Sequence, residues 1–582
     1  MIKAVYTGTF DPVTNGHLDI IERASKMYDV LYVTIFINPH KTCLFTVEER
    51  MEMLREATKQ FPNVVIDESS SLAVEYAREV GAQVLVRGLR ATEDYNYESL
   101  MCFTNQYLDD GIETVFLMTR LAYTFVSSSF VKEIVSHKHS VEGLVPACVE
   151  EKLIEKYRGE VMRLLLKNAH LYRHQAFSDT DVLIEDGIIQ KIGACNEEAD
   201  QVIDLHGALL SHNFIDIHTH LREPGFEHKE TISTGSASAL YGGYGTIVAM
   251  ANTLPCMDDK ETIEDFTKRC EKDAQVKTYT YSAITEELKG QKVVDMEENI
   301  KQPIVLGFSD DGKGVQKDEK MKEAMTRAKA LDSIIVAHCE DESELHGGCI
   351  HEGHYAKEHG LIGINSASEY KQVDRDLHLV DEIHNRYHIC HISTKETVAL
   401  LGASRARGER VSGETSPHHL ILTEDNIQDC HPNYKMNPPL RTKEDRDAII
   451  KAVNDGVITV IATDHAPHAR DEKSKPIDKA PFGIIGLQHA FPLIYTYIVE
   501  EGLIKLETVL DCLTTGPAQT LNLDASIEEG MKADLCAFDL NKEYTIKEED
   551  LKSKACNTPF LGWKVKGALI MNIVDGQLLV EE

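Results

Sequence analysis

Phe214-Ile215-Asp216-Ile217-His218-Thr219-His220-Leu221-Arg222 is the stretch whose reading decides the fold. Two histidines at i and i+2 on a strand point to the same side, so both imidazoles can reach one cation. The apolar lead-in of Phe214, Ile215 and Ile217 reads as a barrel strand that delivers them to its end. One such pair is a weak signal. Three further ligand-type clusters follow it, each closing an apolar run: Val305–Gly312, Ile334–Asp341 with Tyr387–Thr394, and Val460–His468. The series points to a metal-dependent hydrolase.

At 582 residues the chain is long enough for two to four domains at about 150 residues each. A hydrophobic share of 42% supports large cores, and a net charge of −34 excludes a nucleic-acid surface. Thirteen cysteines, an odd number with no CxxC pair, read as reduced thiols. Met1–Phe10 reads as a strand entering a turn, and no apolar run approaches the ~20 residues of a membrane span. The expectation is a cytoplasmic protein handling small molecules, with no nucleic-acid or membrane partner.

In the first 160 residues, apolar runs at Ile2–Tyr6, Val30–Ile37, Val64–Ile66, Val84–Val86 and Thr114–Met118 alternate with helical stretches. One of these helices opens on a capping box, Thr46 to Glu49. The alternation predicts a doubly wound parallel sheet with its ligands beyond the carboxyl ends of the strands. There lie Gly8-Thr9-Phe10-Asp11-Pro12-Val13-Thr14-Asn15-Gly16-His17, Asn38-Pro39-His40-Lys41, Arg87-Gly88-Leu89-Arg90 and Ser127-Ser128-Ser129. The first alone reads as a turn with Thr14 as N-cap; as a set the four clusters suit a nucleotide phosphate at helix N-termini.

With Tyr97-Glu98, these motifs make residues 1 to about 160 resemble the HxGH nucleotidyltransferases, and among them the phosphopantetheine adenylyltransferases. The resemblance implies ATP and 4′-phosphopantetheine as substrates, with Mg2+ carried by the nucleotide. Thr9 and His17 would meet the α-phosphate, and Lys41 and Arg90 would stabilise its developing charge. Arg87, Glu98, Ser127, Ser128 and Ser129 would lie along the nucleotide. Such transfer needs positioning and charge neutralisation more than covalent chemistry. A short amphipathic helix, Val145–Gly159, leads almost directly to Met162, and the absence of a Pro/Gly/Ser linker predicts a nearly fixed relation between the halves.

Short strands at Leu164–Lys167, Asp181–Glu185, Ile188–Ile192 and Gln201–Asp204, with Ala533–Phe538 and Leu569–Val574, predict a β-sandwich from 162–210 and 524–582. It flanks a (β/α)8 TIM barrel over about 211–523. From 161 to 582 the chain resembles a type I dihydroorotase of the amidohydrolase superfamily. The resemblance is carried by His218 to Gly225, Ala251-Asn252-Thr253, Phe308 to Gly312, Ala337 to Asp341, His388 to Thr394, Asn437 to Arg441 and Ala462 to His468. It implies metal ligands at His218, His220, Asp311, His338, His391 and Asp464, holding one or two Zn2+. Chemistry alone leaves Asp310 and Asp311 equivalent. Zinc lowers the pKa of a bound water toward about 7. Asp464 would carry the proton to the leaving nitrogen as dihydroorotate and N-carbamoyl-L-aspartate interconvert. Arg222, Asn252 and His468 would hold the α-carboxylate, and Asn437 with the Phe482 and Gly483 backbone the ring amide.

His418-His419 reads as structural, because neighbours on a strand face opposite ways. Arg470–Lys479 reads either as a lid over the metal site or as an ordinary surface loop. Ser211-His212-Asn213 stands where the family has Pro-Gly, which predicts a strained, left-handed Asn213. Two alternatives to a bifunctional enzyme are a catalytically silent half kept for assembly and a hydantoinase- or allantoinase-like barrel. The expected assembly is a homo-oligomer, hexamer or dimer, and aspartate transcarbamoylase is a candidate partner.

Overall fold

The apolar runs of the first 160 residues become five parallel strands: β1 (Lys3–Gly8), β2 (Val30–Phe36), β3 (Val64–Ser69), β4 (Val84–Leu89) and β5 (Glu113–Met118). The structure is a computed structural model, and it describes residues 1–36, 43–89, 92–124, 126–136, 141, 143–157 and 163–581. Contacts divide the chain into two units, Met1–Val161 and Met162–Glu582.

In the first unit the sheet order is β3-β2-β1-β4-β5. The chain starts in the middle, winds out to β3, then returns to the other side of β1. The order reverses between β1 and β4, where Tyr6 pairs with Val86, and a ligand crevice opens beyond such a switch point. The core comes from one face of the helix Asn15–Ser25 (Ile20, Ile21, Ala24) packed on Ala4, Leu31, Val33 and Val86. The junction, residues 158–162, lies outside the described residues; the helix before it spans Ala147–Tyr157.

The second unit opens and closes with one eight-stranded sheet. Its strands are Arg163–Arg173, Ala176–Glu185, Ile188–Ile192, Gln201–Asp204 and Leu209–His212 from the start, and Leu535–Thr545, Lys564–Val574 and Gln577–Glu581 from the end. The two ends join where Leu209–His212 runs antiparallel to Leu535–Phe538. Asn213 is not left-handed: its N–H donates to Asp534 O at 3.1 Å and its Nδ2 to Ile573 O at 2.9 Å. The expected strain is absent because Ser211 and His212 extend as a strand.

Between those ends lie the eight parallel barrel strands Phe214–Thr219, Tyr244–Ala249, Lys277–Ser282, Val305–Phe308, Ile334–Ala337, Arg386–Ile389, Val411–Thr415 and Val460–Ile461. A parallel bridge from Thr219 to His465 joins the last strand's exit to the first. Every residue of the first two strands is buried, as a sheet covered on both faces requires. Alternate side chains divide between two apolar clusters. Phe214, Ile247, Ala249, Ile335 and Ala337 enter one, and Ile215, Ile217, Val248, Ile334 and Val336 the other.

Candidate metal centre and nucleotide site

All six expected ligands stand at carboxyl ends of barrel strands. His218 and His220 close the first strand, Asp311 follows the fourth, His338 the fifth, His391 the sixth and Asp464 the eighth. Their ligand atoms converge. His218 Nε2 lies 3.3 Å from Asp311 Oδ1 and 3.4 Å from Asp464 Oδ1. His220 Nε2 lies 3.0 Å from Asp464 Oδ1 and 3.4 Å from Asp311 Oδ2. His338 Nδ1 and His391 Nε2 are 2.8 Å apart and 3.5 and 3.6 Å from Asp311 Oδ1. Asp311 thus belongs to two ligand groups, one with His218 and His220 and one with His338 and His391.

The backbone separates the two aspartates. Asp310 turns away and accepts from the Ile284 and Thr285 amides at 2.7 and 3.0 Å. Burial pushes its carboxyl up to about 6 despite those bonds. Asp311 faces the histidines; burial raises its carboxyl, but His218 and the other imidazoles outweigh that and hold it well below its ordinary value.

Hydrogen bonds behind the ligands fix which nitrogen faces the centre. His218 Nδ1 lies 2.6 Å from Glu414 Oε1, and Glu414 Oε2 lies 3.0 Å from His388 Nε2. Burial opposes the charge on Glu414, but His218 and His388 hold its carboxyl far below the usual range. An ionised Glu414 accepts the Nδ1–H of His218 and leaves the Nε2 lone pair inward. His220 is oriented likewise by Asn252 Oδ1, 3.1 Å from its Nδ1. Inward lone pairs and carboxylate oxygens that meet repel unless a cation lies among them. His218 Nε2 and Asp311 Oδ1 are buried with no hydrogen-bond partner among the described residues, which fits a metal there. Four imidazoles and two carboxylates are a donor set suited to zinc.

A cavity of about 320 Å³ opens on this cluster. All six expected substrate contacts, Arg222, Asn252, Asn437, His468, Phe482 and Gly483, line it. Arg222 Nε donates to Pro467 O at 3.2 Å, and burial pushes its guanidinium down to about 10. His468 donates from Nε2 to Phe482 O at 2.7 Å. A side chain at position 483 would put its Cβ 2.5 Å from Ala466 O, at a φ of +151°, so only glycine fits there. Arg222 (φ +63°), His391 (+32°) and Asp464 (+48°) also sit at positive φ, a strained conformation that the packing around the site holds in place.

His418 and His419 are not on a strand: they occupy the short helix Pro417–Ile421, with their rings 4.4 Å apart. His419 Nε2 donates to Pro438 O at 3.0 Å, and neither residue joins the ligand groups. Sequence reasoning missed Glu414, His388 and Glu340. The last contacts Asn437 Nδ2 at 2.7 Å and lies 3.6 Å from His338 Nε2. Glu414 had one signal, an acid at the end of a barrel strand.

In the first unit Thr14 caps the helix Asn15–Ser25, and its N–H donates to His17 Nδ1 at 3.0 Å. A neutral His17 therefore carries its proton on Nε2, as a phosphate donor must. Arg50 Nη1 donates to Thr9 O at 2.8 Å, and Ser128 Oγ to Pro12 O at 2.8 Å, tying the helix Ser128–Ser136 to the first motif. Ser127 Oγ accepts the Phe130 N–H at 3.0 Å, Ser129 lies in the first turn, and Arg87 is on β4. Lys41, Arg90 and the side chain of Glu98 lie outside the described residues. Asp11 went unnoticed: it pairs with Lys132 at 2.8 Å and accepts the Leu44 and Phe45 amides at 3.0 Å.

A dihydro-orotase-like family model matches residues 207–397, and a cytidylyltransferase-like model matches residues 5–134. A dihydroorotase of Bacillus cytotoxicus is 44% identical over 421 residues, 72% of this chain and 98% of that protein. The chain belongs to the dihydroorotase family. A dihydroorotase of Bacillus cereus (strain B4264) is 45% identical over a stretch of the same length and coverage. Among solved structures, an L-hydantoinase of Arthrobacter aurescens superposes with a TM-score of 0.66 at 23% identity, over 72% of this chain and 96% of its own. A D-hydantoinase from Thermus sp. does so at 0.62 and 24%, over 72% of this chain and 95% of its own. At that identity the likeness is one of fold. This dihydroorotase-family chain therefore carries a cytidylyltransferase-like domain ahead of its barrel, and no described helix is long and apolar enough to cross a membrane.

Proposed function

We propose a bifunctional enzyme. Residues 161–582 interconvert N-carbamoyl-L-aspartate and dihydroorotate at a zinc centre, and residues 1–160 transfer AMP from ATP to 4′-phosphopantetheine. The observation that carries the first activity is the convergence of His218, His220, Asp311, His338, His391 and Asp464 beneath a cavity lined by Arg222 and Asn252. A half-buried guanidinium in the wall suits a substrate carboxylate, which favours dihydroorotate over an uncharged hydantoin ring. No expected ligand is missing, which argues against a silent barrel.

Zinc, when bound, supplies a water acidic enough to act near neutral pH. The chain's own groups do the rest. Asp464, 3.0 Å from His220, accepts the water proton and delivers it to the leaving ring nitrogen. Arg222, Asn252 and His468 orient the carboxylate, and Asn437 with the Phe482-Gly483 backbone holds the amide edge.

The nucleotidyltransferase reading is supported by the family match over 5–134, by His17 with its proton on Nε2, and by Thr9, Arg87 and Ser127 to Ser129 near the β1/β4 switch point. Lys41, Arg90 and Glu98 complete it from the sequence, with Mg2+ brought by ATP. Phe103 and Tyr107, 68% and 91% exposed one turn apart, suit a subunit contact within a homo-oligomer. Metal analysis of the purified chain with separate assays of the two reactions tests both halves. A zinc-free chain active on dihydroorotate, or no dephospho-coenzyme A from ATP and 4′-phosphopantetheine, refutes the corresponding half.

A further inference from the structure

We infer that Lys473 is a positioning residue that sets the shape of the barrel cavity from behind its wall, an inference that rests on the dihydroorotase reading of that cavity. Lys473 ends the short helix Arg470–Lys473 within the segment expected to be a lid or a loop. It is 6% exposed, and it does not line the cavity. Its Nζ donates to Pro432 O at 2.9 Å, Pro481 O at 3.0 Å and Lys435 O at 3.4 Å. An ammonium has three N–H donors, and here each has a carbonyl.

Those carbonyls belong to two loops. One leads into Met436 and Asn437, the other into Phe482 and Gly483, and all four residues line the cavity. Lys435 O also accepts the Gly483 N–H at 3.0 Å, so one carbonyl joins the loops to each other and to Lys473. The preceding residue extends the hold: Glu472 pairs with Lys229 at 3.1 Å and lies 3.5 Å from His468 Nδ1. Burial, with Lys435 nearby, pushes the Lys473 ammonium down to about 7, and no carboxylate pairs with it among the described residues. Its charge is answered by backbone dipoles alone. The arrangement is a fixed keystone rather than a moving lid, and it touches no metal ligand.

Removing the ammonium takes one donor from each of the three carbonyls, of which Pro432 O keeps the Lys435 N–H and Lys435 O the Gly483 N–H, and unties the two loops from the helix behind them. The loops hold substrate rather than metal, so the effect falls on KM. The test compares the full-length wild type with K473M and K473R. In K473M we expect KM for dihydroorotate to rise about tenfold, with kcat at saturation and zinc content within about twofold of wild type. K473R should recover most of the change, and the Gly483 amide should exchange about tenfold faster in K473M than in wild type. A folded K473M with wild-type KM and wild-type Gly483 exchange overturns the proposal. So does loss of zinc and kcat at unchanged KM, which would make Lys473 a support of the metal centre. If K473M does not fold, K473Q is read by the same criteria. If wild type fails to turn over dihydroorotate, the reading of the cavity falls, while Gly483 exchange still decides whether Lys473 clamps the loops.

Discussion

Glu414→Gln isolates the hydrogen bond that orients His218. The carboxylate is fully buried and serves three donors: His218 Nδ1 at 2.6 Å, His388 Nε2 at 3.0 Å and the His391 N–H at 3.3 Å. Glutamine keeps the volume but loses the charge, and it presents one oxygen where the wild type presents two. The bond to His218 then either goes to a neutral acceptor or is replaced by an amide N–H. That N–H would force the His218 proton onto Nε2, where it faces the metal. Loss of such a partner behind a metal ligand typically costs about 10- to 100-fold in metal affinity, or about 1.4–2.7 kcal/mol. Competition with a chelator of known zinc affinity at pH 7 measures it, alongside kcat with zinc in excess. We expect weaker zinc binding with most of kcat restored by excess metal. Unchanged affinity in a folded E414Q would show that the imidazole is oriented by packing alone and refute the reasoning.

His17→Ala should abolish ATP-dependent adenylylation of 4′-phosphopantetheine and leave dihydroorotate hydrolysis within about twofold, since the two sites lie in separate units; a parallel collapse of both rates in a folded variant would contradict this. Asp464→Asn should keep much of its zinc yet lose at least ~10²-fold in kcat, whereas Arg222→Met should act chiefly on KM; wild-type turnover in D464N would remove Asp464 from the proton path. Burial raises the Asp11 carboxyl, but Lys132 and the Phe45 and Leu44 amides outweigh it and hold it below its ordinary 3.8. With the folded value below the unfolded one, its stabilisation is present above 3.8 and fades as pH falls through the folded value. Exchange protection of the Leu44 and Phe45 amides should follow that course, and protection that stays unchanged while the Asp11 carboxyl protonates would refute it. Light scattering on the intact chain should report a homohexamer, whose dihedral symmetry contains two-fold and three-fold axes; a monomeric mass at micromolar concentration ends that proposal.

Much of the fold could be read from the sequence because the barrel strands are buried on both faces and so can appear as unbroken apolar runs, as in Ile334–Ala337. The strands Leu209–His212 and Gln577–Glu581 were missed: both are short, and the first depends on a partner, Leu535–Phe538, far along the chain. At the centre, Asp311 could be separated from Asp310 only by where the Ile284 and Thr285 amides lie. Nothing local announces that Arg222, His391 and Asp464 take positive φ, since tertiary packing imposes it. Lys473 looked like one more charge in a polar loop; three backbone carbonyls, invisible to a residue-type pattern, make it a buried anchor.

The sheet that joins the two ends of the second unit sets a timetable for synthesis. Cys536, whose strand pairs with Leu209–His212, lies 324 residues beyond His212. At 5–20 residues per second a ribosome needs about 16–65 s to travel from one to the other. Throughout that interval the edge of Leu209–His212 waits unpaired, while barrel strands emerge one by one with nothing to close against until Thr219 meets His465. The first unit needs no residue beyond its own to pair its five strands, and can fold during the wait. Premature termination before Leu535 would therefore release a chain with a finished N-terminal sheet and an unlatched Leu209–His212 edge, a substrate for chaperones and proteases rather than a half-active enzyme.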